Sequence, residues 1–337
     1  MFDVFLGFAF LASATVANKY ALFVLSTSLM VGIRMLAAGL ILFAFYYHKS
    51  HRLKFSYFKH DAVLLLGVTL LTMLVPALFK AYALKNMLSS KAAFLASLDP
   101  FVTAIYAFFF WSEKLTVKKI VGITLGFVGT FILICFQTGN EPMAWSIFSY
   151  PEIAALLAMA IGRLGWMFVQ QLVRSERYTA GEINGLLMTI SGIMAFIAPF
   201  VLAAFSLLLS YIPIINTFIP VYSFTDASHY LVLQNLSCCN PPMIIFAIAY
   251  TIIVGNVIGY TMYANFLKHH SATFVSLAGF SVPLYVYLFG NILLGEPLSL
   301  IFLVASAITF VGLMIFYQDE IKRMNHGHWL SFWKKHF

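Results

Sequence analysis

The chain has 337 residues, of which 62% are hydrophobic and 9% charged, where a soluble domain carries roughly a quarter charged residues. Twenty Lys and Arg against 12 Asp and Glu give a formal charge of +8. This composition excludes a soluble globular domain and puts most of the chain in a bilayer, where a polypeptide must satisfy its own backbone hydrogen bonds.

Pro, Gly and polar clusters divide the chain into apolar runs of about twenty residues, the length that crosses a hydrocarbon core of about 30 Å as a helix. The short segments of alternating polarity typical of a membrane β-barrel are missing from the sequence. The runs predict ten helices, at 2–18, 28–47, 61–84, 91–111, 118–136, 150–173, 182–208, 243–267, 271–294 and 299–317. The first ends near Ala12-Ser13-Ala14, a passable cleavage site, but no basic residue precedes it and Asp3 stands where a signal peptide is positive. It is therefore read as a retained helix.

Arg34 falls about 10 Å inward from the outer surface on the second helix, and Lys80 near the outer end of the third, where a lysine can snorkel. In the fourth, Asp99-Pro100 lies about 12 Å below the same surface, which puts Arg34 and Asp99 at similar depth. Pro100 removes a backbone hydrogen bond in mid-membrane and predicts a helix break or hinge. Glu113 ends that helix. Gly122 and Gly126 in the fifth helix make a small-xxx-small packing face.

A polar linker at 137–149 follows. The sixth helix carries Arg163 near the midplane with Trp166 beyond it, and an arginine at that depth should face the interior. An outer segment at 209–242 has no Lys or Arg. The eighth helix holds Asn256 and Tyr260, and the ninth Pro283 and Tyr285. The tail at 318–337 is basic and aromatic, suited to an inner membrane surface.

With the N-terminus inside, fourteen of the 20 Lys and Arg fall on the inner side and three, Lys19, Lys85 and Lys91, on the outer; Arg34, Lys80 and Arg163 lie within helices. This asymmetry predicts both termini in the cytoplasm. It also makes the positive charge a topology signal, with no nucleic-acid partner implied. Cys135 reads as a small apolar residue, and the adjacent Cys238 and Cys239 do not suggest a disulfide framework.

Lys85, Pro100, Glu113, Leu115 and the triplet Phe127-Val128-Gly129 return, at one offset of 183 residues, as Lys268, Pro283, Glu296, Leu298 and Phe310-Val311-Gly312. The scarce residues match along with the triplet, so the chain reads as an internal duplication. Five helices are an odd number, so the second copy enters the membrane the other way up. The expected fold class is an all-α integral membrane protein of ten transmembrane helices in two inverted five-helix repeats, at 1–136 and 150–317. Inverted repeats with broken helices and a site near the midplane are the architecture of secondary transporters.

The run KAAFLASLDPFVTAIYAFFFWSEKLT followed by VGITLGFVG resembles the EamA domain of the drug/metabolite transporter superfamily, whose ten-helix members carry two such domains. The first half matches across roughly 2–136. The second keeps GEPLS but has Val282 where the first has Asp99. The resemblance implies a transporter of small organic metabolites with a central cavity lined from both halves.

Two readings of the polar residues stand. In one, Arg34, Asp99 and Arg163 line the substrate pathway, and Trp166, Asn256, Tyr260 and Tyr285 stack on or hydrogen-bond the substrate. In the other, Arg34 and Asp99 form a structural ion pair and Arg163 bonds backbone carbonyls. Lys19, Lys80, Lys85 and Lys91 cluster at the outer mouth, either concentrating anions or merely snorkelling. Glu113 and Glu296, at helix ends, read as caps. The cationic balance points to a carboxylate- or phosphate-bearing substrate such as an amino acid, with a nucleoside-linked cofactor such as S-adenosylmethionine as the alternative.

No HExxH, paired aspartates or Ser/His/Asp set lies at membrane depth, which argues against an enzyme. No resident cofactor or metal is expected, and a channel's ring of repeated polar residues is missing from the sequence. The expected partners are a small-molecule substrate and the lipid of a cytoplasmic (inner) membrane, with the protein a monomer or homodimer.

Overall fold

A computed structural model describes residues 2–50, 55–111, 115–136, 149–174, 180–210, 240–259, 262, 266, 272–319 and 321. Glu113, Tyr260, Cys238, Cys239, most of 209–242 and the tail from 322 lie outside them. The described residues are nearly all helical and include no strand. Nine helical stretches are long and apolar enough to cross a membrane, and Leu300–Phe316 is a shorter apolar tenth. The predicted ten-helix, all-α class is the observed one.

The first two segments are α1 (Phe2–Leu22) and α2 (Thr27–Ser50). The third runs from α3 (Phe55–Thr69) through a π-helical stretch, Leu70–Leu74, into α4 (Val75–Asn86). The fourth is broken: α5 (Ser89–Ala96) stops at Ser97-Leu98 and α6 (Asp99–Trp111) resumes with Pro100 in its first turn. The fifth, sixth and seventh are α7 (Val117–Phe136), α8 (Tyr150–Arg174) and α9 (Ala180–Ser210). The eighth is α10 (Pro241–Tyr250) continued by π-helix at Thr251–Ile258. The ninth is split at Phe280 between α11 (Ala272–Gly279) and α12 (Ser281–Leu294), and the tenth is α13 (Leu300–Phe316).

Continuous helices were expected over 91–111 and 271–294, apart from a break at each proline. The interruptions come two or three residues ahead of Pro100 and Pro283, because proline has no N–H to give and sits well only in the first turn of a new helix. The π stretches were not foreseen. Shifted by 183, Leu70–Leu74 falls at 253–257, inside the second π stretch, so both halves are underwound at the same place.

Packing follows the duplication. The second segment lies along the seventh and the fifth along the tenth; the first packs on the eighth and ninth, as the sixth does on the third and fourth. Each of these contacts survives exchange of the halves. At the α7–α13 seam, a Cβ added to Gly122 would come 2.6 Å from the Gly312 carbonyl oxygen, and one added to Gly129 would come 2.8 Å from that of Ala305. The offset converts one pair into the other, as a two-fold axis running through the seam requires. Glycine is needed because the backbones touch, the close approach that helices in lipid rely on.

Candidate substrate site

The polar centre is built on α8. Gly165 lets α8 close on the first π stretch, where a Cβ would lie 2.6 Å from the Leu71 carbonyl carbon, and Gly162 faces the Pro76 ring at 3.3 Å. Arg163 stands between these glycines, on the same stripe as Met159 and Trp166 at helical spacings of four and three. Its Nη1 is 3.2 Å from Asp99 Oδ2, with the side chains 26% and 40% exposed. Asp99 opens α6, where a carboxylate is favoured by the unsatisfied N–H groups and positive dipole end of a helix. Lower down, Tyr106 donates to the Ala160 carbonyl at 3.0 Å, so α6 is tied to α8 at two levels.

Asp99 thus meets Arg163, where equal depth had pointed to Arg34. Rise along a helix gives depth but not direction, and direction is set by packing: α2 lies along α9 while α6 lies on α8. Arg34 is half-buried on α2 and within electrostatic reach of Lys80 on α4. A half-exposed ion pair inside an otherwise apolar assembly adds little stability, about 0–1 kcal/mol. It does give a ligand that carries both charges somewhere to exchange partners.

Trp166 packs half-buried against the core between α2, α4 and α8. Asn256, on the second π stretch, is buried with Nδ2 3.9 Å from Met35 Sδ, so its side chain is spent on the α2 interface. Tyr285 is half-buried and stacked on Phe289, centroids 6.4 Å apart and planes at 20°, beside the α1 cluster of Val4 and Phe8. Arg163 and Asp99 are brought into contact; Asn256 and Tyr285 belong to other interfaces.

The four outer lysines divide. Lys19 is buried, donating to Glu296 Oε1 at 2.5 Å and to the Met87 carbonyl at 2.6 Å. Glu296 also accepts from the Ser89 N–H, at 2.9 and 3.0 Å to its two oxygens, and from Ser89 Oγ at 2.6 Å. A carboxylate from the second half therefore caps α5 in the first, where the residue before Ser89 supplies no side-chain cap. The chain turns into place through Gly295, whose φ of 68° suits glycine. Gly290 leaves the room: a Cβ there would sit 2.7 Å from both Glu296 Oε2 and Ser89 Oγ.

Lys91 is buried against Glu152 of α8. Lys85 is half-buried, 3.4 Å from the Leu25 carbonyl, and Lys80 is exposed. Neither Lys19 nor Lys91 is the snorkelling or anion-gathering group expected, since each charge is neutralised inside the protein. The signal was present in the sequence. Glu152 and Glu296 are among the few acids assigned to the same side as these lysines, and buried charges need partners.

A duplicated, broken-helix bundle with a half-exposed ion pair between segments is a transporter's frame, and comparison with known sequences places it. The model of the EamA-like transporter family matches residues 1–135 and 232–318. The chain belongs to the EamA-like transporter family. This EamA-like protein is 26% identical over 325 residues, 96% of its length and 93% of the other's, to the S-adenosylmethionine/S-adenosylhomocysteine transporter of Chlamydia muridarum. It is 26% identical over 327 residues, 96% and 90% of the two chains, to the transporter of that name from Chlamydia trachomatis serovar L2. A chloroplastic WAT1-related protein of Arabidopsis thaliana is 25% identical over 311 residues, 91% of this chain and 67% of its own.

Proposed function

We propose that this EamA-like protein moves an adenosyl amino acid of the S-adenosylmethionine class across the cytoplasmic membrane by alternating access. The observation that carries the reading is the Arg163–Asp99 pair, half-exposed at the joint of α6 and α8. An α-carboxylate takes the guanidinium and an α-ammonium or sulfonium takes the carboxylate, so a zwitterion replaces each partner with its own opposite charge. Trp166, three residues from Arg163, offers a face to an adenine ring. Charge alone suits a free amino acid equally; the names borne by the Chlamydia relatives tip the choice to the adenosyl compound.

In this reading the repeats 1–136 and 150–317 rock against each other, with the breaks before Pro100 and Pro283 as hinges and both termini cytoplasmic. The test is uptake of labelled S-adenosylmethionine into proteoliposomes. Saturable uptake competed by S-adenosylhomocysteine but not by methionine supports the proposal. Competition by free amino acids, with adenosyl compounds inert, replaces it with the amino acid reading. Absence of saturable uptake of either rejects both.

A further inference from the structure

We propose that Lys80 is an anion-contacting residue of the transport pathway and receives the carboxylate end of the substrate. The ligand's identity rests on the adenosyl reading above; the placement of the residue does not. At 100° per residue, Lys80 sits in the middle of the packed arc of α4. On one side of it Ala77, Ala81 and Leu84 are buried, and on the other Ala83 is buried and Pro76 meets Gly162 of α8. The outward face of α4 is marked by exposed Tyr82 and Asn86, well over a quarter turn away. Yet Lys80 is itself exposed. A side chain flanked by packed neighbours and still accessible opens onto an internal, water-reachable space.

Lys80 lies six residues before the end of α4, about 9 Å along the axis, and points inward, so snorkelling along the lipid face does not account for it. Lys19, Lys91, Lys118 and Arg163 each have a carboxylate. Among the described residues Lys80 has none, and the charge nearest in effect is another cation, Arg34. A cation that faces a space inside an apolar assembly without a counter-charge is costly, and an anion beside it removes that cost. Lys80 is then the cation that a ligand's anionic end would neutralise. The site is then two-ended: Lys80 joins Arg163 at the carboxylate end of the ligand, and Asp99 takes its cationic part.

The first experiment is ligand-independent. Lys80→Cys is made in a chain whose Cys135, Cys238 and Cys239 are replaced, and labelled with a membrane-impermeant anionic methanethiosulfonate and with a membrane-partitioning maleimide. Rapid labelling by the impermeant reagent supports the placement; labelling by the partitioning reagent alone, or by neither, overturns it. The second compares Lys80→Gln and Lys80→Arg with wild type for binding of S-adenosylmethionine and of its decarboxylated analogue. Lys80→Gln is expected to lose about tenfold in affinity for the acid and nothing for the analogue, with Lys80→Arg keeping most of the acid's affinity. Equal loss for both ligands, or none for either, overturns the carboxylate role. If wild type binds neither compound, the adenosyl reading has failed and the labelling result alone decides Lys80.

Discussion

Replacing Glu296 with alanine tests how the two halves are joined. The substitution removes the only carboxylate placed on Lys19 among the described residues, along with the acceptor for two Ser89 donors; Lys19 is 6% exposed. Removing one member of a buried ion pair costs about 3–5 kcal/mol, most of it from the charge left behind. The Ser89 bonds belong to the same carboxylate and are not added separately. At about 2 °C per kcal/mol for a chain of this size, Glu296→Ala should lower the melting temperature by roughly 6–10 °C. The assay is thermal unfolding of the purified protein in detergent, followed by intrinsic fluorescence. Pairing Lys19→Met with Glu296→Met should recover most of the loss, because a buried pair exchanged for apolar side chains of similar volume is often neutral. A Glu296→Ala protein within about 0.5 kcal/mol of wild type, or losses at 19 and 296 that simply add, would refute the clasp as an energetic unit.

Four further outcomes are expected. Lys118→Ala, which breaks a pair with Asp319 that is 41% and 43% exposed, should change stability by less than about 1 kcal/mol in the same assay. Arg163→Gln should leave the melting temperature nearly unchanged but weaken substrate binding by about tenfold, since the pair is half-exposed; unchanged affinity would remove Arg163 from the site. Gly165→Val should destabilise by about 1–3 kcal/mol, because the Leu71 backbone occupies the space its Cβ needs; a wild-type melting curve would show that α8 can shift. Asp99→Asn should weaken binding of S-adenosylmethionine by about tenfold, because it removes the charge that meets the ligand's cationic part; unchanged affinity would remove Asp99 from the site.

The helices, their number and the duplication were legible because they rest on periodicity and on scarce residues, which survive in a strongly apolar chain. Pro100 and Pro283 marked the broken segments to within three residues. Of the two readings of Asp99, the one that paired it with Arg34 took equal depth for contact, whereas residues on different helices meet only if those helices are neighbours, and α6 packs on α8. Lys19 and Lys91 were taken for surface groups because a lysine near a helix end usually snorkels; their carboxylates come from 277 and 61 residues away in the chain. Asn256 looked like a pathway residue by its polarity, and its burial against Met35 comes from a π stretch that no propensity announces.

The matched π stretches bear on the history of the molecule. A π turn holds one more residue than the α turn it replaces and is costly enough to be rare, so it persists where something depends on it. Its presence at the same register in both halves is most simply inherited from a single ancestral unit that was already underwound before it doubled. The acid ahead of Pro100, with no counterpart ahead of Pro283, then records a change made after the doubling. The doubled helical frame is the older layer of this protein, and the lone acid beside Pro100 is the newer one.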